Sequence, residues 1–305
     1  MNSRLAPSIS VQIGTTRSSA VSMILYGAAL RVVTTAMMID EQTMTKVDQS
    51  ALFARVEQSA RADGKEAYFR LHRYRFAAML QAMGPANGAR VLEVGVTPGH
   101  FTELLVGAGF QVSGADLDPF TRKALWDRLG VEVRQVNLER EPLPYPDTSF
   151  DWVVFSEVIE HMVYSPLPIL REFYRVLRPG GRVLITTPNE LYLKSRARAI
   201  LRMLLWQSLS TREEFRHQML LEGEARYTTH SRTYTMEELT WLVEQAGFRI
   251  ESRRFEAPWE RVGLEAGRLL RAPHRVLAKA LFFALTAAIP PTRSMLLVVG
   301  RRPLN

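Results

Sequence analysis

The sequence contains no cysteine. Disulfide bonds, thiolate metal ligands and a cysteine nucleophile are therefore excluded. Long uninterrupted apolar runs are lacking too, because residues 20–39 are broken by Arg31 and residues 276–289 are too few to span a membrane. The first apolar run begins late, its basic residues are dispersed and no clear cleavage site follows it, which argues against a secretory signal. From these absences we expect a cytoplasmic protein with no stable membrane insertion.

Charge is unevenly distributed along the chain. The formal net charge is +8 at pH 7, and from Glu190 onward 19 Lys and Arg residues stand against 12 Asp and Glu residues. Such a surplus attracts anionic substrates, nucleic acid or membrane lipid. The simpler interpretation, which we favour, is a solvated arginine-rich surface.

The chain divides into three regions. Residues 1–45 have little charge, many Ser and Thr and no sustained periodicity, which predicts a poorly ordered extension. Apolar residues at helical spacing between residues 51 and 83 predict N-terminal helices within the region 46–87. In residues 88–305, strand patterns alternate with helix patterns. That alternation predicts an α/β domain, with a mainly parallel, doubly wound sheet covered by helices on both faces.

Two insertions interrupt this domain, at residues 189–233 and 256–293. Both follow strands whose carboxyl ends would face the ligand crevice of an open α/β sheet. We therefore predict two lid segments over the site. Within the second insertion, residues 267–289 have an amphipathic pattern that suits either peripheral membrane contact or packing against the domain, and we favour packing.

A glycine turn follows the first strand pattern of the domain. In the stretch VLEVGVTPG, residues 91–99, Gly95 and Gly99 flank Thr97 and Pro98. A dinucleotide-binding turn carries a further glycine in the pattern G-x-G-x-x-G, which is missing here. The turn therefore argues against a dinucleotide ligand.

Together with VSGADLDP, residues 112–119, and PLPYPDTSFDWVV, residues 142–154, the turn resembles the class I S-adenosylmethionine-dependent methyltransferases of types 11 and 23. The resemblance covers residues 88–253 and the last strand. It implies a Rossmann-like sheet of seven strands, doubly wound, whose last strand runs antiparallel. It also implies S-adenosylmethionine as the cofactor and methyl transfer as the reaction.

The resemblance further implies a set of cofactor-binding residues. Asp116 would accept hydrogen bonds from both ribose hydroxyls, and Asn137 would accept one from the adenine amino group through its amide oxygen. The helix that starts near Gly99, with Pro98 in its first turn, would offer its N-terminus to the methionine carboxylate. The implied set is Glu93, Gly95, Thr97, Gly99, Asp116, Leu117, Asn137, Leu138 and Ser156.

A second motif, EVIEHM, ends the fourth strand pattern. If a helical turn begins there, Glu157, Glu160 and His161 stand at i, i+3 and i+4 on one face. With His230, which precedes a later helix, they resemble the Mg²⁺ ligands of methyltransferases that act on quinone precursors or on the 2′-hydroxyl of small RNAs. The alternative role for His161 or His230 is that of a catalytic general base, because a neutral imidazole accepts a hydroxyl proton near pH 7.

Three functions stay open from the sequence. We favour O-methylation of a small-molecule acceptor, such as a sugar, a lipid head group or a phenolic metabolite, because no RNA-binding appendage accompanies the core. The first alternative is a metal-dependent RNA 2′-O-methyltransferase, with RNA as partner. The second alternative is a non-catalytic scaffold that retains the fold, since a fold does not guarantee chemistry.

Overall fold

A seven-stranded sheet forms the centre of this computed structural model, which describes residues 46–209, 215–216, 219–220, 230–264 and 273–304. The predicted extension 1–45 lies outside the described residues. In chain order the strands are β1 (Arg90–Val94), β2 (Gln111–Asp116), β3 (Glu132–Gln135), β4 (Phe150–Ser156), β5 (Leu177–Pro188), β6 (Arg249–Glu256) and β7 (Met295–Arg301).

The order of the strands across the sheet is β3-β2-β1-β4-β5-β7-β6. Strands β1 to β5 pair in parallel. Strand β7 runs antiparallel to both of its neighbours, β5 and β6. The chain reverses its winding at β1 and β4, and such a switch point opens a crevice at the carboxyl ends of the strands. The prediction of a doubly wound sheet with an antiparallel last strand is confirmed.

Helices cover both faces of the sheet, because successive side chains of a strand point to opposite faces. Val91 packs into one apolar cluster, with Phe69 and Leu104, while Leu92 packs into another, with Phe173 and Leu239. The helices are α1 (Lys46–Ala62), α2 (Glu66–Met83), α3 (His100–Gly107), α4 (Lys123–Leu129), α5 (Leu167–Val176), α6 (Leu193–Leu204), α7 (Met236–Gln245), α8 (Pro258–Arg261) and α9 (Pro273–Ala288).

Helices α1 and α2 lie within the predicted N-terminal region and pack on the face that carries Val91. The described part of the first insertion contributes α6, and the second insertion contributes α8 and α9. Helix α8 packs against α2, where the ring centroids of His72 and Trp259 are 4.9 Å apart. Within the described ranges, no helix combines the length and the apolar character that crossing a membrane requires. The role of the insertions as lids stays a prediction.

Candidate functional site

The candidate site lies at the carboxyl edge of the sheet, around the switch point between β1 and β4. The strands bring residues that are far apart in the chain to this edge, because parallel strands all end on the same side. The predicted residues that follow β1, β2, β3 and β4 are therefore neighbours in the fold. Helix α2 crosses the same edge and adds residues that the motifs did not indicate.

The glycine turn after β1 is explained by packing inside the protein. Gly95 and Gly99 have φ angles of +81° and +98°, which side chains rarely adopt. A Cβ atom on Gly95 would lie 2.5 Å from Val158, and one on Gly99 would lie 2.3 Å from Leu125. The backbone itself therefore requires glycine at both positions. Their approach to a cofactor stays a prediction.

Pro98 does not lie in the first turn of a helix, so that prediction was wrong. Helix α3 begins at His100, with Gly99 at its N-cap in the left-handed region. Pro98 belongs to the turn and precedes the cap. The left-handed backbone at Gly99 separates the proline from the helix, which explains why Pro98 was wrongly placed in the first turn although the predicted start near Gly99 is one residue from His100.

Asp116 connects the two loops that flank the predicted ribose position. Its Oδ2 accepts a hydrogen bond from the backbone N–H of Thr97 at 3.0 Å, and its Oδ1 accepts one from the N–H of Asp118, also at 3.0 Å. Each carboxylate oxygen can accept a further hydrogen bond. The carboxylate is therefore held in place by the protein and keeps capacity for two hydroxyl donors.

Glu93 is buried beneath this edge. It is 5% exposed, and the hydroxyl of Thr102 donates a 2.7 Å hydrogen bond to its Oε2. Burial is the main cause that raises its pKa to about 8. Protonated Glu93 is therefore a buried support of the turn, and direct contact with a ligand stays a prediction.

The predicted adenine-binding residues lie at the ends of β2 and β3. Leu117 is 38% exposed, and Leu138 is half-buried against the core cluster that contains Leu92. The amide oxygen of Asn137 accepts a 3.1 Å hydrogen bond from the N–H of Glu139. Because a carbonyl oxygen has two lone pairs, Asn137 keeps capacity to accept another bond.

Ser156 ends β4 and lies against the N-terminal helices. Its hydroxyl is 2.8 Å from the hydroxyl of Thr186 on β5, and it donates to the sulfur of Met79 on α2 at 3.4 Å. The residue therefore joins α2 to the edge of the sheet. Its contact with a cofactor stays a prediction.

Glu157 forms an ion pair with Arg75, a residue of α2 that the motif analysis missed. The guanidinium Nη1 of Arg75 and the Oε2 of Glu157 are 3.4 Å apart. Among the described residues, neither Arg75 Nε nor Glu157 Oε1 has a hydrogen-bond partner. Buried polar atoms normally have partners, so this pair has unused hydrogen-bonding capacity that a polar ligand could take up.

The sequence of α2 contains an indication of its buried polar residues. The apolar face of α2 includes Phe69, Phe76 and Met79, and His72 and Arg75 interrupt it. Polar residues on an apolar helix face indicate a buried polar function. The helical spacing of the apolar residues, taken alone, indicated only that the helix packs against the hydrophobic core. His72 Nδ1 and both ring nitrogens of the neighbouring His100 also lack hydrogen-bond partners in the described ranges.

The predicted helical face of Glu157, Glu160 and His161 does not form. The backbone at Glu157 has a φ of +55°, and the turn that follows is a short 3₁₀ helix, Ile159–His161. A change of backbone direction at Glu157 sends its carboxylate to Arg75, away from the histidine. Glu157 is therefore absent from the group of possible metal ligands found among the described residues.

Glu160, His161 and His230 do come together. Each offers one ligand atom, and these atoms lie within 4.8 Å of one another. The N–H of Ser231 donates to the carbonyl of Glu160 at 2.8 Å, which places the imidazoles of His161 and His230 with ring centroids 4.8 Å apart. Three of the four residues that the motifs predicted as metal ligands therefore lie close together, and metal binding by them stays a prediction.

The protonation states in the cluster follow from burial. Glu160 is 1% exposed, and burial, followed by the charge of Glu157, raises its pKa well above the ordinary value. Thr187 donates a 3.1 Å hydrogen bond to Glu160 Oε2. Burial, followed by the charge of His161, lowers the pKa of His230. A neutral imidazole of His230 is the form expected at pH 7.

Comparison with known proteins agrees with the fold and the motifs. A family model described as "Methyltransferase domain" matches residues 68–253. A protein of Mycolicibacterium smegmatis named as a probable S-adenosylmethionine-dependent methyltransferase is 32% identical over 167 residues, which are 54% of this chain and 53% of the relative. A ubiquinone biosynthesis O-methyltransferase of Xanthomonas campestris pv. campestris is 36% identical over 107 residues, 33% of this chain and 44% of the relative.

One similar solved structure is that of a complex between the Haloferax volcanii Trm112 methyltransferase activator and a methyltransferase. It superposes on this chain with a TM-score of 0.52 at 19% identity. The match covers 81% of this chain and 97% of the other, and at this identity it shows a shared fold alone. The chain spans about half the length of the curated relatives it matches.

Proposed function

Because the chain belongs to the methyltransferase-domain family of class I S-adenosylmethionine-dependent enzymes, we propose that it transfers a methyl group from S-adenosylmethionine to a hydroxyl oxygen of a small-molecule acceptor. The observation that carries the choice of oxygen is the imidazole pair of His161 and His230 at the carboxyl edge of the sheet. An imidazole suits the removal of a hydroxyl proton near neutral pH.

The cofactor would lie along the edge from β2 to β4. Asp116 would bind the ribose hydroxyls, Leu117 and Leu138 would pack against the adenine ring, and Asn137 would accept from its amino group. The incomplete pair of Arg75 and Glu157 supports the fit, because the methionine part carries both a carboxylate and an ammonium group. The guanidinium would pair with the carboxylate, and Glu157 with the ammonium.

When bound, the cofactor supplies a methyl group on a sulfonium centre. The protein would hold the acceptor hydroxyl in line with that group, and alignment alone is a large source of rate enhancement. His161 or His230 would take the hydroxyl proton while the oxygen gains the methyl carbon and the sulfur keeps the bonding electron pair. Burial that keeps His230 neutral supports this role.

A second candidate, metal-assisted methyl transfer, is favoured by the close approach of Glu160, His161 and His230. Two imidazoles and a carboxylate suit Mn²⁺, Fe²⁺ or Zn²⁺ better than Mg²⁺, which prefers oxygen ligands. Glu157 would contribute nothing to this set because it pairs with Arg75. A metal there would lower the pKa of the acceptor hydroxyl. The Mg²⁺ site and the RNA acceptor stay predictions from the sequence.

The first experiment is titration calorimetry with S-adenosylhomocysteine, with and without Mn²⁺ or Mg²⁺. We expect binding in the absence of metal. The absence of binding under every condition would instead indicate the non-catalytic scaffold.

The second experiment measures transfer of a labelled methyl group to a panel of sugars, lipid head groups, phenols and single-stranded RNA. We expect His161→Ala and His230→Ala to lower kcat by about 10²-fold or more, with unchanged affinity for S-adenosylhomocysteine. Sensitivity of the wild-type rate to a chelator would favour the metal-assisted mechanism. Labelling of RNA in place of the small molecules would overturn the proposed acceptor class.

A further inference from the structure

Helix α6 has no buried side chain, although seven of its twelve residues are apolar. Ile200, Leu201, Met203 and Leu204 are 59%, 57%, 63% and 72% exposed. A helix of a soluble domain normally turns its apolar stripe towards the core. Several large apolar side chains exposed together on one short helix indicate an interaction surface.

Three of the four basic residues of α6 form a row of their own, while Arg196 lies between Met203 and Ile200 on the apolar side. Leu193, Ile200 and Leu204 stand at i, i+7 and i+11, so they share one side of the helix. Lys194, Arg198 and Arg202 stand at i, i+4 and i+8 and form a second row. No acidic residue occurs in the twelve residues of the helix.

The apolar surface continues beyond the C-terminus of α6. Leu205 and Leu209 are 55% and 61% exposed, and Trp206 is 96% exposed. A tryptophan combines a large apolar ring with an N–H donor, a combination that suits the boundary between lipid and water. Phe215 and Met219, which lie further along the same insertion, are also exposed.

We propose that this surface, residues 193–209, docks the protein on a lipid bilayer that contains anionic lipid. The apolar row would enter the headgroup region, and the basic row would face the anionic headgroups, as in interfacial amphipathic helices. Lys194 and Arg198 form no ion pair with any residue in the described ranges, so their charges are available to anionic lipid. Arg196 pairs with Glu190 at 2.9 Å and anchors the first turn.

Two other occupants fit this surface less well. A second copy of the chain would bring two basic rows close together, and like charges at an interface oppose association. A partner protein with an apolar groove would cover Leu204 and Ile200 but would give no role to the row of cations beside them. An anionic bilayer complements both rows at once.

The position of α6 determines which edge of the sheet would face the bilayer. The helix begins five residues after Pro188, the last residue of β5, at the carboxyl edge where Thr187 bonds to Glu160. The surface therefore lies at the same edge as the candidate site. Docking through it would bring that edge to the bilayer surface.

The test is sedimentation of the full chain with vesicles of phosphatidylcholine alone or mixed with phosphatidylglycerol. We expect binding to the mixed vesicles, weakened by high salt because exposed charges are screened. Leu204→Glu should reduce that binding by about tenfold or more. The matched control is Leu304→Glu, since Leu304 is 70% exposed and follows the end of β7, which pairs with the start of β5, far along that strand from α6. This variant should bind as the wild type does.

A Lys194→Glu/Arg198→Glu variant should lose the preference for anionic vesicles. Calorimetry with S-adenosylhomocysteine and thermal unfolding would verify that each variant keeps the fold. Equal binding of wild type and Leu204→Glu, or no binding of wild type, would overturn the proposal. A wild-type dimer in size-exclusion chromatography that Leu204→Glu converts to a monomer, without vesicle binding, would assign the surface to a second copy.

Discussion

The guanidinium of Arg75 and the carboxylate of Glu157 are 3.4 Å apart, with side-chain exposures of 6% and 15%. This pair connects α2 to the loop after β4 across the carboxyl edge of the sheet. One nitrogen of the guanidinium and one oxygen of the carboxylate have no partner in the described part of the chain. A buried pair that is only partly satisfied has capacity for a ligand that carries both charges.

The first prediction concerns Arg75→Met. Loss of the guanidinium should weaken S-adenosylhomocysteine binding by about 10- to 100-fold, because a charged hydrogen bond contributes about 1.5–3 kcal/mol. The variant should also unfold more easily, since Glu157 would become a buried charge without its partner. Calorimetry and urea unfolding measure the two effects separately.

The double variant Arg75→Met/Glu157→Gln separates stability from ligand binding. Removal of the charge at Glu157 should restore most of the unfolding free energy but should leave cofactor affinity low. Arg70→Met is a control on the same helix, where the side chain is 54% exposed. If the double variant regained wild-type affinity, Arg75 would have a structural role only.

The positions at the ends of the strands could be predicted from the sequence, whereas on α2 the sequence indicated polar residues on an apolar face but not their partner. Asp116 is the last residue of β2 and Asn137 lies two residues after β3, and parallel strands bring such positions to one edge whatever the loops do. Arg75 reaches the edge only because α2 packs across it, which depends on tertiary packing. The prediction of a helical face at Glu157 was wrong for a similar reason, because a single residue with positive φ changes the direction of the chain there.

The second prediction concerns Asp116→Ala, which should weaken S-adenosylhomocysteine binding by about 10- to 100-fold through loss of charged hydrogen bonds. A 2′-deoxy analogue should bind the wild type less well than S-adenosylhomocysteine, whereas the variant should bind the two ligands alike. Asp118→Ala is the control, because Asp118 lies two residues further along the same loop and donates only its backbone N–H to Asp116. Equal affinity of wild type and Asp116→Ala would contradict the ribose role.

The third prediction compares two glycines with left-handed backbone. Gly99→Ala would place a methyl group 2.3 Å from Leu125 and 2.9 Å from Trp126, whereas Gly130→Ala would meet no atom within 4 Å. Both changes introduce backbone strain of about 1–2 kcal/mol, and only the first adds an overlap that costs about 1–3 kcal/mol. Urea unfolding should therefore show a larger loss for Gly99→Ala, and an equal loss would show that Leu125 and Trp126 move aside freely.

The fourth prediction concerns the pH dependence of stability. Burial raises the pKa of Glu93 from its ordinary value of 4.5 to about 8 in the folded protein. Between these two values the folded state keeps a proton that the unfolded state has released. The free energy of unfolding therefore falls as pH rises through this window, by up to about 1.4 kcal/mol per pH unit from this group.

Glu93→Gln removes this titration and keeps an amide that can accept the hydrogen bond from Thr102. The stability of the variant relative to the wild type should increase steadily from pH 5 to about 8 and then level off, as measured by urea unfolding across this range. Glu251→Gln is the control with the opposite sign, because a hydrogen bond from Arg182 lowers the pKa of Glu251. The stabilising contribution of ionised Glu251 is lost only when the pH falls below the ordinary pKa of a glutamate. The difference in free energy of unfolding between Glu251→Gln and the wild type should therefore stay constant in the same pH window. A flat difference for Glu93→Gln as well would mean that Glu93 is already ionised in the folded protein, with a counter-charge at the turn.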